Sequence, residues 1–181
     1  RRAGQLDEAL ATCEAVLAEA PAHAQAHMLA GMIAHEQGRH GVAVDHLQAA
    51  AEEPRGEPDL YDALGTSLLE LGRNDAALEP LARASALDPD RPGPRFRTGL
   101  ALLRSHRPQE AIPHFERVMA THPHAWEVRL NRGAAHAALQ DHDAAVADFE
   151  AVTRAAPDEP VGWVNLGTEL SLLGHLDRAE A

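Results

Sequence analysis

The chain has 181 residues, 45% apolar and 24% charged, with a net charge of −12. That balance belongs to a folded protein and excludes a disordered one. Only 3% aromatic residues against 37 alanines argues for helices and against a β-sandwich or barrel.

Further exclusions follow from single residue types. All 16 basic residues are Arg, outnumbered by 28 acids, so no basic face is expected for nucleic acid. Cys13 stands alone, which rules out an internal disulfide and a multi-cysteine zinc site. No apolar run approaches the ~18 residues of a membrane span, so no membrane insertion is expected. No leader is visible, and the cytoplasm is the favoured compartment. The all-Arg, Ala-rich usage suggests a GC-rich bacterial genome.

Spacing predicts helices over 6–19, 25–37, 41–53, 59–71, 75–87, 93–105, 109–121, 127–139, 143–155, 161–173 and 176–181. They alternate between two kinds, B first and then A. Gly38, Gly72 and Gly174 stand where the turn from A to B must be tight. Pro80 and Pro113 fall inside helices B, where each removes one backbone bond and should bend the helix slightly. Pro108 sits at a helix start, where proline is tolerated.

A fixed period underlies this order. Gly31, Gly65, Gly99, Gly133 and Gly167 are each 34 residues apart, and twelve residues after each comes Ala43, Ala77, Ala111, Ala145 or Ala179. Four residues later stands a bulky apolar side chain: Leu47, Leu81, Phe115, Phe149. Ala9 and Cys13 continue the register towards the N-terminus. Pro21, Pro89, Pro123 and Pro157 each precede a register glycine by ten residues; the remaining position holds Arg55, with Pro54 just before it. Small residues at fixed offsets are what two helices need to cross at short range.

The pattern resembles the tetratricopeptide repeat family, most fully in Tyr61–Leu64–Gly65–Leu68–Ala77–Leu81–Pro89 and in Trp163–Leu166–Gly167–Leu170–Ala179. His27, Arg95 and Arg129 depart from it at the Trp position, and Ala30, Thr98 and Arg132 at the Leu position. The resemblance implies an all-α, right-handed α-solenoid of antiparallel helix pairs in one array. Its parts would be a partial repeat at 1–23, full repeats at 24–57, 58–91, 92–125 and 126–159, and a partial repeat at 160–181. Neither end shows a polar capping helix. The expectation is a piece of a longer array, or self-association through uncapped ends.

In such an array a ligand lies along the concave face lined by helices A. By register, the peptide-binding candidates there are Met28, Met32, His35, Asp62, Thr66, Leu69, Phe96, Arg97, Leu100, Arg104, Leu130, Asn131, Asn165 and Thr168. Met28, Met32, Leu69, Phe96, Leu100, Leu103 and Leu130 are expected to form an apolar strip open to solvent, the usual mark of an interaction site. Asn131 and Asn165 share one register position, where an amide could pair with both groups of a peptide backbone. The Lys-type positions of the family's carboxylate clamp hold Met28, Asp62 and Phe96, which excludes that mode. Asp62 with Arg97 and Glu70 with Arg104 should pair between neighbouring helices. His35, Glu36 and His40 miss the HExxH spacing, so neither metal nor cofactor is expected, and no catalytic residue. The function implied is a non-catalytic scaffold for a protein or peptide. The alternative is the recognition arm of a larger enzyme, such as a peptide glycosyltransferase.

Overall fold

The computed structural model describes residues 2–52 and 56–174. The described residues form ten helices and no strand. These are α1 (Arg2–Glu19), α2 (Ala24–Glu36), α3 (His40–Ala51), α4 (Pro58–Glu70), α5 (Asn74–Leu87), α6 (Pro92–Arg104), α7 (Pro108–Thr121), α8 (Trp126–Ala138), α9 (His142–Ala155) and α10 (Pro160–Leu172). Helices A are the even-numbered ones. Most bounds fall within a residue or two of those read from spacing. The expected helix at 176–181 and the Pro54–Arg55 helix end lie outside the described residues. Pro80 and Pro113 interrupt neither α5 nor α7.

The chain divides into two compact units, residues 1–97 and 98–181, with the division inside α6. In the first, α2 pairs with α3 and α4 with α5, while α1 packs on α2 and α3 on α4. In the second, α8 pairs with α9, α7 packs on α8, and α9 on α10. Each unit is thus a stack of antiparallel helix pairs, and the protein is an all-α solenoid of such pairs.

Side-chain size at the crossings explains the period. A Cβ on Gly31 would lie 2.6 Å from Leu47 Cγ, and one on Gly133 2.7 Å from Phe149 Cε1. No real carbon sits that close, so the helix axes can approach only over glycine. Ala43, Ala77, Ala111 and Ala145 are fully buried beside these contacts. So are Leu47, Leu81 and Phe115, and Phe149 is 2% exposed. Each such side chain contributes about 2–3 kcal/mol relative to an exposed one. Between α9 and α10 the core continues through Val146, Leu166 and Leu170. At the N-terminal end Leu10, Cys13 and Ala30 close a smaller cluster.

The turns after helices A repeat one hydrogen-bond pattern. Gly38 N–H donates to His35 O (2.9 Å) and Arg39 N–H to Ala34 O (2.8 Å). These are the paired bonds of a Schellman cap, which needs a left-handed residue at its centre. Gly38, Gly72 and Gly174 supply φ near +70° there, but the same register carries His106 (φ 57°) and Gln140 (φ 62°) in the other two turns. The cap bonds are kept, with His106 N–H donating to Leu103 O at 3.1 Å and Gln140 N–H to Ala137 O at 2.9 Å. A side chain in that region costs roughly 1 kcal/mol. His106→Gly and Gln140→Gly are each expected to raise stability by about 0.5–1 kcal/mol, less than the full strain because glycine also loosens the unfolded chain. Urea midpoints check this; a lower midpoint in both variants would refute it.

A second recurring bond was illegible in the sequence. At the Trp position of the pattern, Trp163 Nε1–H donates to the Pro157 carbonyl (3.0 Å). Arg95 NH1 donates to Pro89 O (3.3 Å), Arg129 NH2 to Pro123 O (3.3 Å) and His27 Nε2 to Pro21 O (2.8 Å). These departures from the family pattern are therefore equivalent in function. At these four positions an N–H donor of the right reach satisfies a carbonyl in the loop before the helix, whereas Tyr61 at the same position of α4 accepts from Arg83 NH1 through its hydroxyl.

Candidate functional site

The predicted residues lie on helices A, and each unit is taken by itself. In the first unit, α2 carries Met28, Met32 and His35, and α4 carries Asp62, Thr66 and Leu69. The N-terminal part of α6 carries Phe96 and Arg97. Met28, Met32, His35, Thr66, Phe96 and Arg97 are half-buried. Leu69 is only 4% exposed, so the solvent-open apolar strip expected from register does not include it. Leu29, at the register position of the two Asn residues, is 46% exposed instead.

Charge on this face is largely neutralised internally. Arg97 NH1 donates to Asp62 Oδ1 at 2.7 Å, the pair expected from spacing. Arg91, not foreseen, bonds Asp59 and approaches Asp62 Oδ2 at 3.8 Å. Two arginines thus serve two aspartates, and Asp62 can be nearly buried (8% exposed) because it is paired. Gly93 leaves room for the Arg97 guanidinium, since a Cβ there would be 2.9 Å from NH1.

His35 is tied down beside this network. Its Nδ1 lies 2.9 Å from Oγ of the fully buried Ser67. Burial holds the His35 imidazole below its ordinary value of 6.5, and His40 adds to the effect. Burial also lowers His46, helped by neighbouring His27. Above pH 6.5 these imidazoles are neutral in both folded and unfolded chains, and their contribution to stability is complete. As pH falls through 6.5 the unfolded chain takes up protons first, so stability declines until the lowered folded values are passed. Urea midpoints are therefore expected to fall between pH 7 and pH 5, and the decline should shrink in His35→Gln. A midpoint that is flat across that range would contradict the assignment.

In the second unit the face is more polar. Leu100 is half-buried, Arg104 is exposed, and Leu130 packs against the cluster between α8, α9 and α10. Asn131 Nδ2 donates to Glu127 O (2.7 Å) in its own helix, so one of its donors is already used. Asn165 is half-buried. Thr168 is exposed, and its hydroxyl donates to Val164 O at 2.9 Å. Thr66 does the same to Asp62 O at 2.7 Å. α10 also exposes Trp163 (50%), Val164 (65%) and Leu172 (63%), which the expected strip did not include.

Arg132 occupies the Leu position of the pattern and is compensated from α9. Its Nε donates to Asp148 Oδ2 (2.8 Å) and its NH2 to Asp148 Oδ1 (2.6 Å). The spacing of Arg132 and Asp148 carried no hint of this pair, because the other repeats place His46, Pro80 and His114 at the Asp148 register.

Elsewhere the surface has shallow clefts on the helix-B side. One of about 350 Å³ in the first unit is lined by Tyr61, Leu64, Leu68, Glu79, Pro80 and Arg83. Arg83 lies 5.4 Å from the centre of the Tyr61 ring. Cys13 is buried, and burial pushes its thiol above the ordinary value, away from the reactive thiolate. No described helix is long and apolar enough to cross a membrane.

With helix pairs, glycine crossings and turns in view, the comparison with known proteins is direct. A family model for the tetratricopeptide repeat matches residues 1–58, 63–104 and 96–160. The chain belongs to the tetratricopeptide repeat family. Members of this family mediate protein–protein interactions. Among solved structures, YrrB, described as a tetratricopeptide repeat protein with an unusual peptide-binding site, superposes with a TM-score of 0.83 at 25% identity. The match covers 88% of this chain and 82% of that one. MamA from Desulfovibrio magneticus RS-1 gives a TM-score of 0.80 at 19% identity, over 87% of this chain and 89% of that one. A second MamA structure gives 0.76 at 21% identity, over 86% and 91%. The MamA likenesses show the fold of the tetratricopeptide repeat and nothing finer. No curated protein matches the chain.

Proposed function

We propose that this repeat protein is a non-catalytic interaction scaffold that binds a peptide or protein segment on the face built by its helices A. The observation that carries the reading is in the first unit. Met28, Met32 and Phe96 are half-buried and Leu29 is exposed, all at positions that the register assigns to one face, and Asp62 and Arg97 of that register are already paired. Methionine adapts to varied apolar side chains, and aromatic and aliphatic surface left on a rigid scaffold is typical of a docking site. A preformed face leaves most of the ordering cost with the incoming peptide. In the second unit Asn165 and Arg104 would supply polar contacts to the same kind of ligand. The peptide-binding description of YrrB supports the reading by likeness. We further propose that the repeats run 24–57, 58–91, 92–125 and 126–159 in one array, with partial repeats before and after.

The test is a random heptapeptide display selection on immobilised protein, followed by titration of the enriched peptides. Met32→Glu and Phe96→Ala are expected to weaken the selected peptides at least tenfold, while Glu79→Gln on the helix-B side leaves them unchanged. Enrichment of peptides that bind all three variants equally would overturn the assignment of the face.

A further inference from the structure

We propose that a cleft in the second unit, between the start of α8 and the end of α9, binds an aryl phosphate: a phosphate monoester carried on a single flat ring. The cleft has a volume of about 270 Å³, and Pro123, His124, Trp126, Arg129, Ala151 and Arg154 are among its walls. Two arginines, a histidine and a tryptophan thus meet at one place. None of the described residues that line it is acidic. On a chain with a net charge of −12, that is an exception.

The other repeats show that the helix pair does not need this chemistry. At the register of His124 they carry Ala22, Gly56, Asp90 and Asp158. Trp126 stands where Pro58, Pro92 and Pro160 open their helices A, and Arg154 where the other helices B have Glu52, Ala86 and Ala120. Three departures from one repeat pattern therefore converge on one cleft. Together they add positive charge and an aromatic face where acids, prolines and alanines suffice elsewhere. Side chains that break a repeat without serving its packing mark a functional place.

Charge and size select the ligand. Arg129 NH2 donates to the Pro123 carbonyl at 3.3 Å, which holds the side chain in place and leaves other N–H groups of the guanidinium for a ligand. Arg154 is 70% exposed, and the acid it approaches, Glu150, is 3.7 Å away, beyond hydrogen-bond range. Two fixed positive charges suit a dianion. A phosphate monoester carries a charge of about −1.5 to −2 at pH 7, twice that of a carboxylate. The planar guanidinium also matches phosphoryl oxygens in pairs. Half-buried Trp126 offers a ring on which an aromatic carrier can stack. The volume is smaller than the roughly 300–1,000 Å³ of a drug-sized pocket, which limits the ligand to one ring and its phosphoryl group.

The experiment is titration of the whole chain with phenyl phosphate at pH 8, read by calorimetry and by tryptophan fluorescence. Trp163→Arg, which keeps a donor on the Pro157 carbonyl as Arg95 and Arg129 do on theirs, leaves Trp126 as the one reporter. Saturable binding of one equivalent is expected, with a change in Trp126 emission. Arg154→Ala, the residue of two other repeats, and Arg129→His, which keeps the loop bond as His27 does, should each weaken it at least fivefold. Arg117→Ala on α7 should leave it unchanged. Inorganic phosphate and benzoate should each bind at least fivefold more weakly. Blocked phosphotyrosine amide separates two sources of the same chemistry: tighter binding than phenyl phosphate assigns a peptide side chain, weaker binding a free aryl phosphate, and either supports the site. The proposal is overturned if phenyl phosphate does not saturate, if binding survives in Arg154→Ala or Arg129→His, if Arg117→Ala weakens it equally, or if inorganic phosphate or benzoate binds as tightly.

Discussion

Replacing Gly99 by Val is expected to destabilise the protein by about 3 kcal/mol, through overpacking against a side chain that cannot move. A Cβ alone at Gly99 would lie 2.5 Å from Phe115 Cε1 and 2.9 Å from two further ring atoms. Phe115 is fully buried, and a rigid ring has fewer escapes than the flexible Leu47 and Leu81 of the earlier crossings. The two helices must separate, and the Ala111 contact beside them opens as well. Gly41 offers the control. It lies in α3 with nothing within 4 Å of a Cβ, so Gly41→Ala should stabilise by about 0.5–1 kcal/mol through helix propensity alone. Urea unfolding of both variants, with a Gly99→Ala/Phe115→Ala cycle, checks the cause. Equal effects at the two glycines would refute the packing account, as would strict additivity within the cycle.

Asp148→Ala should cost about 3 kcal/mol, because it strands the Arg132 guanidinium against the core. Asp148 is 3% exposed and accepts both arms of the arginine. The remaining acid near Arg132, Glu116, is 3.9 Å away and more than half exposed, so it replaces little of the lost interaction. The informative variant is the double substitution Arg132→Leu/Asp148→Ala. It restores the Leu–Gly pair seen at Leu64–Gly65 and Leu166–Gly167, and should recover most of the loss, since an apolar pair often matches a buried ion pair. Thermal unfolding of the three variants decides it. If the double variant is no more stable than Asp148→Ala, the charge is not what the aspartate serves.

Helices and crossings were legible because they depend on local repetition. The 34-residue register of Gly31, Gly65, Gly99 and Gly133 places glycine opposite Leu47, Leu81, Phe115 and Phe149, as the structure shows. The left-handed turns at His106 and Gln140 were hidden, because only glycine announces that conformation in a sequence. The candidate site was legible as a set of positions on helices A, and less so as a surface. Leu69 shares the solvent-facing register in sequence yet is buried, while Leu29, Trp163 and Val164 are exposed. Register assigns a residue to a helix face, but the neighbouring helix determines whether that face is covered.

By itself, then, the amino-acid order determined the repeat, the helix pairs and the small residues that let them touch, since each is a property of one helix and its period. Tertiary structure alone decided which polar groups meet: Arg91 with Asp59, Arg132 with Asp148, His27 with His46, and four different donors on four loop carbonyls. The reason is geometric. An apolar contact needs only size at the right spacing, whereas a hydrogen bond needs two particular atoms within about 3 Å at a set angle. That condition is fixed by how neighbouring helices are placed, which the period of a single helix does not contain.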